Sequence, residues 1–229
     1  MWVGNVARAS RRAASTVVST GDFSRAGRTS YSMRRLPHVY PEGRWLFLTW
    51  HLHGVLQAFE RAPPGKPLSG EAFVLMDRKL DAARTGPRFL LQDAIGSLVI
   101  ASLLHGVEIG NYELEAFVIM SNHVHVLLLP KVPVSKLMKS LKGYTAREAN
   151  KVLGRTGEPF WQKESYDHWV GDEVEWGRIK NYIENNPVKA GLVARPEDYK
   201  WSSAGHVDMT VDAARLEAPA TKIAQSVAL

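Results

Sequence analysis

The hydrophobic pattern changes period several times along the chain, and each change marks an element. Trp45-Leu-Phe-Leu-Thr-Trp-His-Leu-His53 is dense in aromatic and branched residues, which predicts a β-strand, and Gly54 and Pro63-Pro64-Gly65 end it. Glu71 to Ala83 and Leu90 to Leu104 read as crossover helices, the second with apolar positions at Leu91, Ile95, Leu98 and Ser102/Leu103. Tyr112 to Met120 and His123 to Leu129 are strand-like, and Ser121-Asn122 between them suits a tight antiparallel connection. Val134 to Leu153 returns to helical spacing: Val134, Leu137, Leu141 and Tyr144 form one stripe and lysines cover the rest. Phe160 to Val170 holds a last strand, and Asp172 caps a helix running to about Asn186, where Pro187 stops it. This order predicts an α+β domain with an antiparallel sheet from about residue 34 to 205, followed by an Ala-rich tail over 206–229.

Composition narrows the chemistry. The chain has 229 residues, enough for a sizeable core, and no cysteine. That excludes a disulfide scaffold, thiolate zinc sites, iron–sulfur clusters and a cysteine nucleophile. No run approaches the ~18 apolar residues of a membrane span; Leu98 to Val107 comes nearest and contains Ser102 and His105. The net charge of +6 sits at the front: residues 1–41 hold seven Arg, no Lys and only Asp22, and the remainder balances. Residues 1–33 read as a basic extension. Their Arg-, Ser- and Ala-rich composition suits a transit peptide or a DNA-binding arm, and the favoured expectation is a start codon assigned too far upstream of Met33. Within the neutral body, residues 131–157 concentrate Lys131, Lys136, Lys139, Lys142, Arg147, Lys151 and Arg155 against Glu148 alone. A patch of this kind attracts polyanions, or is simply a solvated helix face.

Two features bear on catalysis. His123-Val124-His125 opens an apolar strand, and residues two apart on a strand share a face, so the imidazoles converge. Such a pair holds one divalent cation or forms two buried, hydrogen-bonded histidines. His51-Leu52-His53 has the same spacing, so spacing cannot choose between the pairs. On the last helix Tyr182 and Asn186 lie four residues apart on one face, with Arg178 one turn earlier. A tyrosine, an anion-stabilising arginine and an amide oxygen near one cation describe a phosphodiester site.

Four ordered motifs then carry a family resemblance: Met120-Ser-Asn-His-Val-His-Val-Leu-Leu128, Leu141-Lys-Gly-Tyr-Thr-Ala-Arg147, Phe160-Trp-Gln162 and Asn181-Tyr-Ile-Glu-Asn-Asn-Pro-Val-Lys-Ala-Gly-Leu-Val193. Together they resemble the REP-associated tyrosine transposases, relatives of the IS200/IS605 transposases in the HUH single-strand nuclease superfamily, over residues 33–205. Met33-Arg-Arg-Leu-Pro-His38 also resembles how such proteins begin.

The resemblance implies a ferredoxin-like antiparallel sheet with helices packed on one face, a histidine pair on a central strand and a nucleophilic tyrosine on a C-terminal helix. It selects His123 and His125 over the earlier pair, with Tyr182 as nucleophile and Asn186 as third metal ligand. The implied ion is Mg2+ or Mn2+, although two imidazoles alone would suit zinc or copper. The implied substrate is a single-stranded DNA hairpin of the repetitive-palindrome (REP) type, cleaved and rejoined through a 5′-phosphotyrosine in the cytoplasm, at the nucleoid, by a monomer or homodimer. No membrane and no small-molecule cofactor are expected. Lys136, Lys139, Lys142, Arg147, Lys151, Arg155 and Arg178 would hold the DNA backbone, and Trp161, Tyr166 and Trp169 are candidates for base stacking. His168 is a candidate proton carrier or a satisfied boundary histidine. The rival readings are a catalytically silent or regulatory hairpin-binding protein and a hydrolase with a water nucleophile.

Overall fold

The strand-rich segments pair into one four-stranded antiparallel sheet, ordered β2-β3-β1-β4, in the computed structural model of the protein, which describes residues 43–55, 77–83 and 86–205. The expectations for residues 1–33 and 206–229 lie outside these. The strands are β1 (Leu46–His51), β2 (Tyr112–Ile119), β3 (His123–Pro130) and β4 (Tyr166–Trp169). The helices are α1 (described over 77–82), α2 (Asp93–Glu108), α3 (Val134–Val152), α4 (Glu173–Glu184) and the short α5 (Asn186–Lys189). Two strand–helix–strand crossovers joined by the β2–β3 hairpin give the split arrangement of a ferredoxin-like fold.

Register divides the sheet into two faces, because residues opposite one another on antiparallel strands point the same way. Leu48 pairs with Val126 and Val126 with Phe117; Leu46 pairs with Leu128, and Leu128 with Leu114. These, with Trp50, form an apolar face fully covered by the crossover helices. Tyr112 Oη donates to the Leu103 carbonyl of α2 at 2.6 Å, and Trp161 sets its edge on Trp50 while donating from Nε1 to Thr145 Oγ1 of α3 at 2.9 Å. The opposite face carries Phe47, Thr49, His51, His123, His125, Ala116 and Val118, and α4 packs there against β2 and β3. Packing on one face thus holds for α2 and α3, while α4 covers the other. A bulge at Glu115 fixes this second layer, since Lys180 Nζ of α4 meets Glu115 Oε1 at 2.6 Å.

Several boundaries and faces differ from the sequence reading. Phe89–Leu91 form a 3-10 turn, α2 starts at Asp93, and its buried stripe is Ile95, Val99 and Leu103, leaving Leu91 exposed. On α3 the stripe steps from Leu141 to Thr145 and Ala149, which rotates Tyr144 outward to 47% exposure. Trp161 and Tyr166 are buried and so not placed to stack a DNA base, while Trp169 packs half-buried against the core. Asp172 caps α4 as expected, its Oδ1 accepting from Glu175 N–H at 2.8 Å. Past α5 the chain closes the β2 edge: Tyr199 Oη donates to the Ile119 carbonyl, and Ser203 Oγ accepts from Phe117 N–H.

Candidate active site

β3 brings the histidine pair to the sheet interior. Its pleat turns His123 and His125 to the α4 side, and both are fully buried. Asn122 orients the first. Its Nδ2 donates to the Leu80 carbonyl of α1 (2.9 Å), so its Oδ1 accepts from His123 Nδ1 (2.7 Å), which places the proton on Nδ1 and a lone pair on Nε2. Thr49 Oγ1 lies 2.7 Å from His125 Nδ1. The two rings stand edge to face, 4.7 Å between centroids.

α1 supplies what no sequence motif pointed to. Asp77 is buried, its Oδ1 3.0 Å from His125 Nε2 and 3.7 Å from His123 Nε2, and Asp81 Oδ1 lies one turn later at 3.8 Å from His123 Nε2. One ligand atom each of Asp77, His123 and His125 fits within 4.8 Å of the others, an arrangement able to hold a metal ion. Asn186 approaches from the start of α5, fully buried, with Nδ2 3.4 Å from His125 Nε2. His123 Nε2 and Asn186 Oδ1 are buried with no hydrogen-bond partner among the described residues, and Asp77 Oδ1 has His125 Nε2 beside it. Such atoms are costly to leave unmet unless a ligand meets them.

Tyr182 of α4 forms the adjoining wall. Its buried ring lies 5.7 Å from that of His125 and 6.1 Å from that of Phe47. Lys189 Nζ sits 4.4 Å from the Tyr182 ring centroid.

The electrostatics suit cation binding. Burial above all, and the neighbouring His125, push His123 down to about 3, so it is neutral at physiological pH. Burial pushes Asp77 up, but His125, His123 and Lys189 outweigh it and hold the carboxyl below its ordinary value. Asp81 is pushed up to about 7 by burial and by the charge of Asp77. Burial lowers Lys189, with Asp77 and Asp81 opposing.

Of the sequence-nominated residues, His123, His125, Asn186 and Tyr182 come together. Arg178 lies half-buried one turn before Tyr182, with no hydrogen bond or ion pair to the site among the described residues; Lys189 is the cation next to the tyrosine. Lys136, Lys139, Lys142, Arg147 and Lys151 lie on α3, in the other layer, and Arg155 follows that helix. Lys142 Nζ donates to the Gln162 and Lys163 carbonyls, Arg147 and Lys151 contact Glu148, and Arg155 contacts Glu158. His168 Nε2 is tied to Glu175 Oε1 at 2.8 Å, so it links β4 to α4. His51 bonds its neighbour's carbonyl through Nδ1 and His53 lies exposed in the following turn.

Sequence comparison meets this geometry directly. Residues 88–186 match the family described as transposase IS200 like. Over that stretch the chain is similar to the IS200-like transposases. The matched stretch includes both histidines, Tyr182 and Asn186, while Asp77 and Asp81 precede it. Among solved structures the chain is similar to a REP-associated tyrosine transposase bound to a REP hairpin, with 16% identity, 74% of this chain and 82% of the other covered, and a TM-score of 0.49. It is also similar to a provisionally named transposase of Deinococcus radiodurans R1, with 20% identity, 66% and 95% covered, and a TM-score of 0.36. No curated protein matches it. No helix among its described residues is long and apolar enough to cross a membrane.

Proposed function

We propose that this protein is an IS200-like transposase that cleaves and rejoins single-stranded hairpin DNA with Tyr182 as nucleophile, in a site completed by Mg2+ or Mn2+. The observation that supports this best is the Tyr182 ring packed against His125, beside a buried carboxylate, imidazole and amide set with unmet polar atoms. The donors are two imidazole nitrogens, the Asp77 carboxylate and the Asn186 amide oxygen. Imidazoles alone would suit zinc, but the oxygen half suits magnesium or manganese, and the mixed set fits such an ion. When bound, the cation would polarise a non-bridging phosphate oxygen.

The chain's own residues would perform the transfer. The Tyr182 hydroxyl attacks the scissile phosphorus; the new O–P bond forms as the P–O3′ bond breaks, leaving a 5′-phosphotyrosine and a free 3′-hydroxyl. The phenol proton passes to water and the departing 3′-oxygen takes one up. Ionising an ordinary phenol of pKa ~10 costs about 4 kcal/mol at pH 7, so the proton leaves during attack and not before it. Because a phosphodiester is conserved, an incoming 3′-hydroxyl can displace Tyr182 and join strands without further energy input. Residues 34–205 would carry this activity, on chromosomal DNA and hence in the cytoplasm. The hairpin preference rests on the motif resemblance.

The test is incubation with a single-stranded hairpin oligonucleotide and Mn2+ or Mg2+, followed by denaturing electrophoresis. A protein–DNA adduct is expected, absent in Tyr182→Phe although hairpin binding persists. Cleavage without an adduct would replace Tyr182 with water as nucleophile, and binding without cleavage or adduct would make the protein a hairpin-binding factor.

A further inference from the structure

The exposed face of α3 carries two residues that neither the fold nor the catalytic site explains. Tyr144 is 47% exposed, with the Arg147 guanidinium 5.5 Å from its ring centroid. Gly143 lies in the helix interior at an ordinary helical φ, and a Cβ added there would meet no heavy atom within 4 Å. Close packing therefore does not require this glycine, although an interior glycine weakens a helix relative to alanine. What its missing side chain leaves is an open notch on the outside of the helix.

The surroundings of the notch are cationic. Lys139 and Arg147 stand one turn to either side of Gly143 and Lys151 one turn beyond Arg147, while Lys136, Ser140, Tyr144 and Glu148 follow the adjacent ridge. Lys136 and Lys139 are exposed and have no ion-pair partner among the described residues. Glu148 is the one acid on the helix, and Arg147 and Lys151 both contact it. The face also borders the histidine end of the sheet: Lys142 Nζ donates to the Gln162 carbonyl, and Gln162 N–H donates to the carbonyl of His51, which pairs in register with His123.

We infer that Gly143 and Tyr144 form a contact for single-stranded DNA, in which a phosphate crosses the Gly143 notch between Lys139 and Arg147 while an unpaired base stacks on Tyr144. The inference rests on the reading of the protein as a DNA transposase and adds the place where unpaired nucleotides outside the catalytic site are held. Charge complementarity selects a polyanion, and a solvent-facing aromatic ring among cations selects one with exposed bases over a duplex. Glycine lets the sugar-phosphate backbone approach closely.

Fluorescence anisotropy with a hairpin oligonucleotide bearing unpaired flanks, across a salt series, tests it in the full-length protein. Tyr144→Ala should weaken binding about 5- to 150-fold, the range for loss of one stacked base, whereas Tyr144→Phe should stay within about 2-fold. Tyr144→Ala should leave the salt slope unchanged, and Lys139→Gln should lower it by about one. Gly143→Ala should raise the melting temperature while weakening DNA binding, opposite signs that no purely structural role of the glycine produces. Binding to a blunt duplex should not respond to Tyr144→Ala. Wild-type affinity in both Tyr144→Ala and Gly143→Ala, in protein that still forms the Tyr182 adduct, overturns this inference alone; a wild-type protein that binds no single-stranded DNA overturns the transposase reading with it.

Discussion

Replacing Asn122 by alanine removes a side chain that is almost fully buried and uses both ends of its amide. Lost are the bond from His123 Nδ1–H (2.7 Å) and the bond to the Leu80 carbonyl (2.9 Å). Each group left unpaired costs about 1–3 kcal/mol, so the variant loses roughly 2–6 kcal/mol unless water enters. The metal site should suffer separately. Without Asn122 the imidazole proton can move to Nε2 and block the lone pair that faces Asp77, and losing such a supporting partner typically weakens metal affinity about 10- to 100-fold. At a Mn2+ concentration about 100 times the wild-type dissociation constant, the wild type gains about 2.7 kcal/mol of stability; the variant should gain about 0.4–1.4 kcal/mol. Thermal melts with and without Mn2+, with direct titration at a temperature where the variant is folded, read both effects. Asn122→Asp serves as the control, because its carboxylate still accepts from Nδ1: it should melt below wild type, having lost the Leu80 bond, yet bind Mn2+ within a few-fold. A folded Asn122→Ala protein with wild-type Mn2+ affinity would refute the reasoning.

Two further predictions concern the scaffold. Gly106→Ala should destabilise by about 1–3 kcal/mol, because the new Cβ would overlap the Tyr112 ring whose hydroxyl bonds the Leu103 carbonyl; an unchanged unfolding midpoint would show that Tyr112 can move aside. For Glu175, burial raises the pKa, but hydrogen bonds from His168 and Gly171 N–H hold it below its ordinary value of 4.5. The ionised form is favoured in the folded state, so its contribution is present above that value and fades as pH falls through the range below it. Melting curves between pH 7 and 3 should show a shallower acid loss in Glu175→Gln than in wild type, and superimposable curves would contradict the assignment.

The sheet was legible because its strands announce themselves through branched and aromatic runs, and the pleat rule alone put His123 and His125 on one face. Helical spacing put Tyr182 and Asn186 on one face, the motif resemblance gave them their roles, and the structure divides them between α4 and α5. Two things were not legible. Asp77 and Asp81 lie four residues apart on α1, but an acidic pair at that spacing reads as a solvated helix face; the bond from Asn122 to Leu80 and the approach of both carboxylates to the histidines show α1 packed over β3. The outward turn of Tyr144 was missed because both i+3 and i+4 continue an apolar stripe from Leu141, and the buried step goes to the polar Thr145, whose hydroxyl is satisfied by Leu141 O and Trp161 Nε1.

That misreading and the site share one physical cause. A sheet covered on both sides has no solvent-facing alternation to reveal which buried positions are polar by design. On the α2/α3 face the paired positions of β1, β2 and β3 are apolar, with Asp167 of the edge strand β4 the one charged residue, and this supplies stability with little demand for partners. On the α4 face Thr49, His123, His125 and Asn186 interrupt the apolar layer, and each imidazole is bonded at Nδ1. The unmet atoms converge on the volume between α1, β3 and α5. A fold that satisfies the outer half of a buried polar cluster and leaves the inner half open has fixed its orientation before any ligand arrives, so little reorganisation remains to oppose binding. The apolar face opposite offsets the cost of keeping those atoms dry.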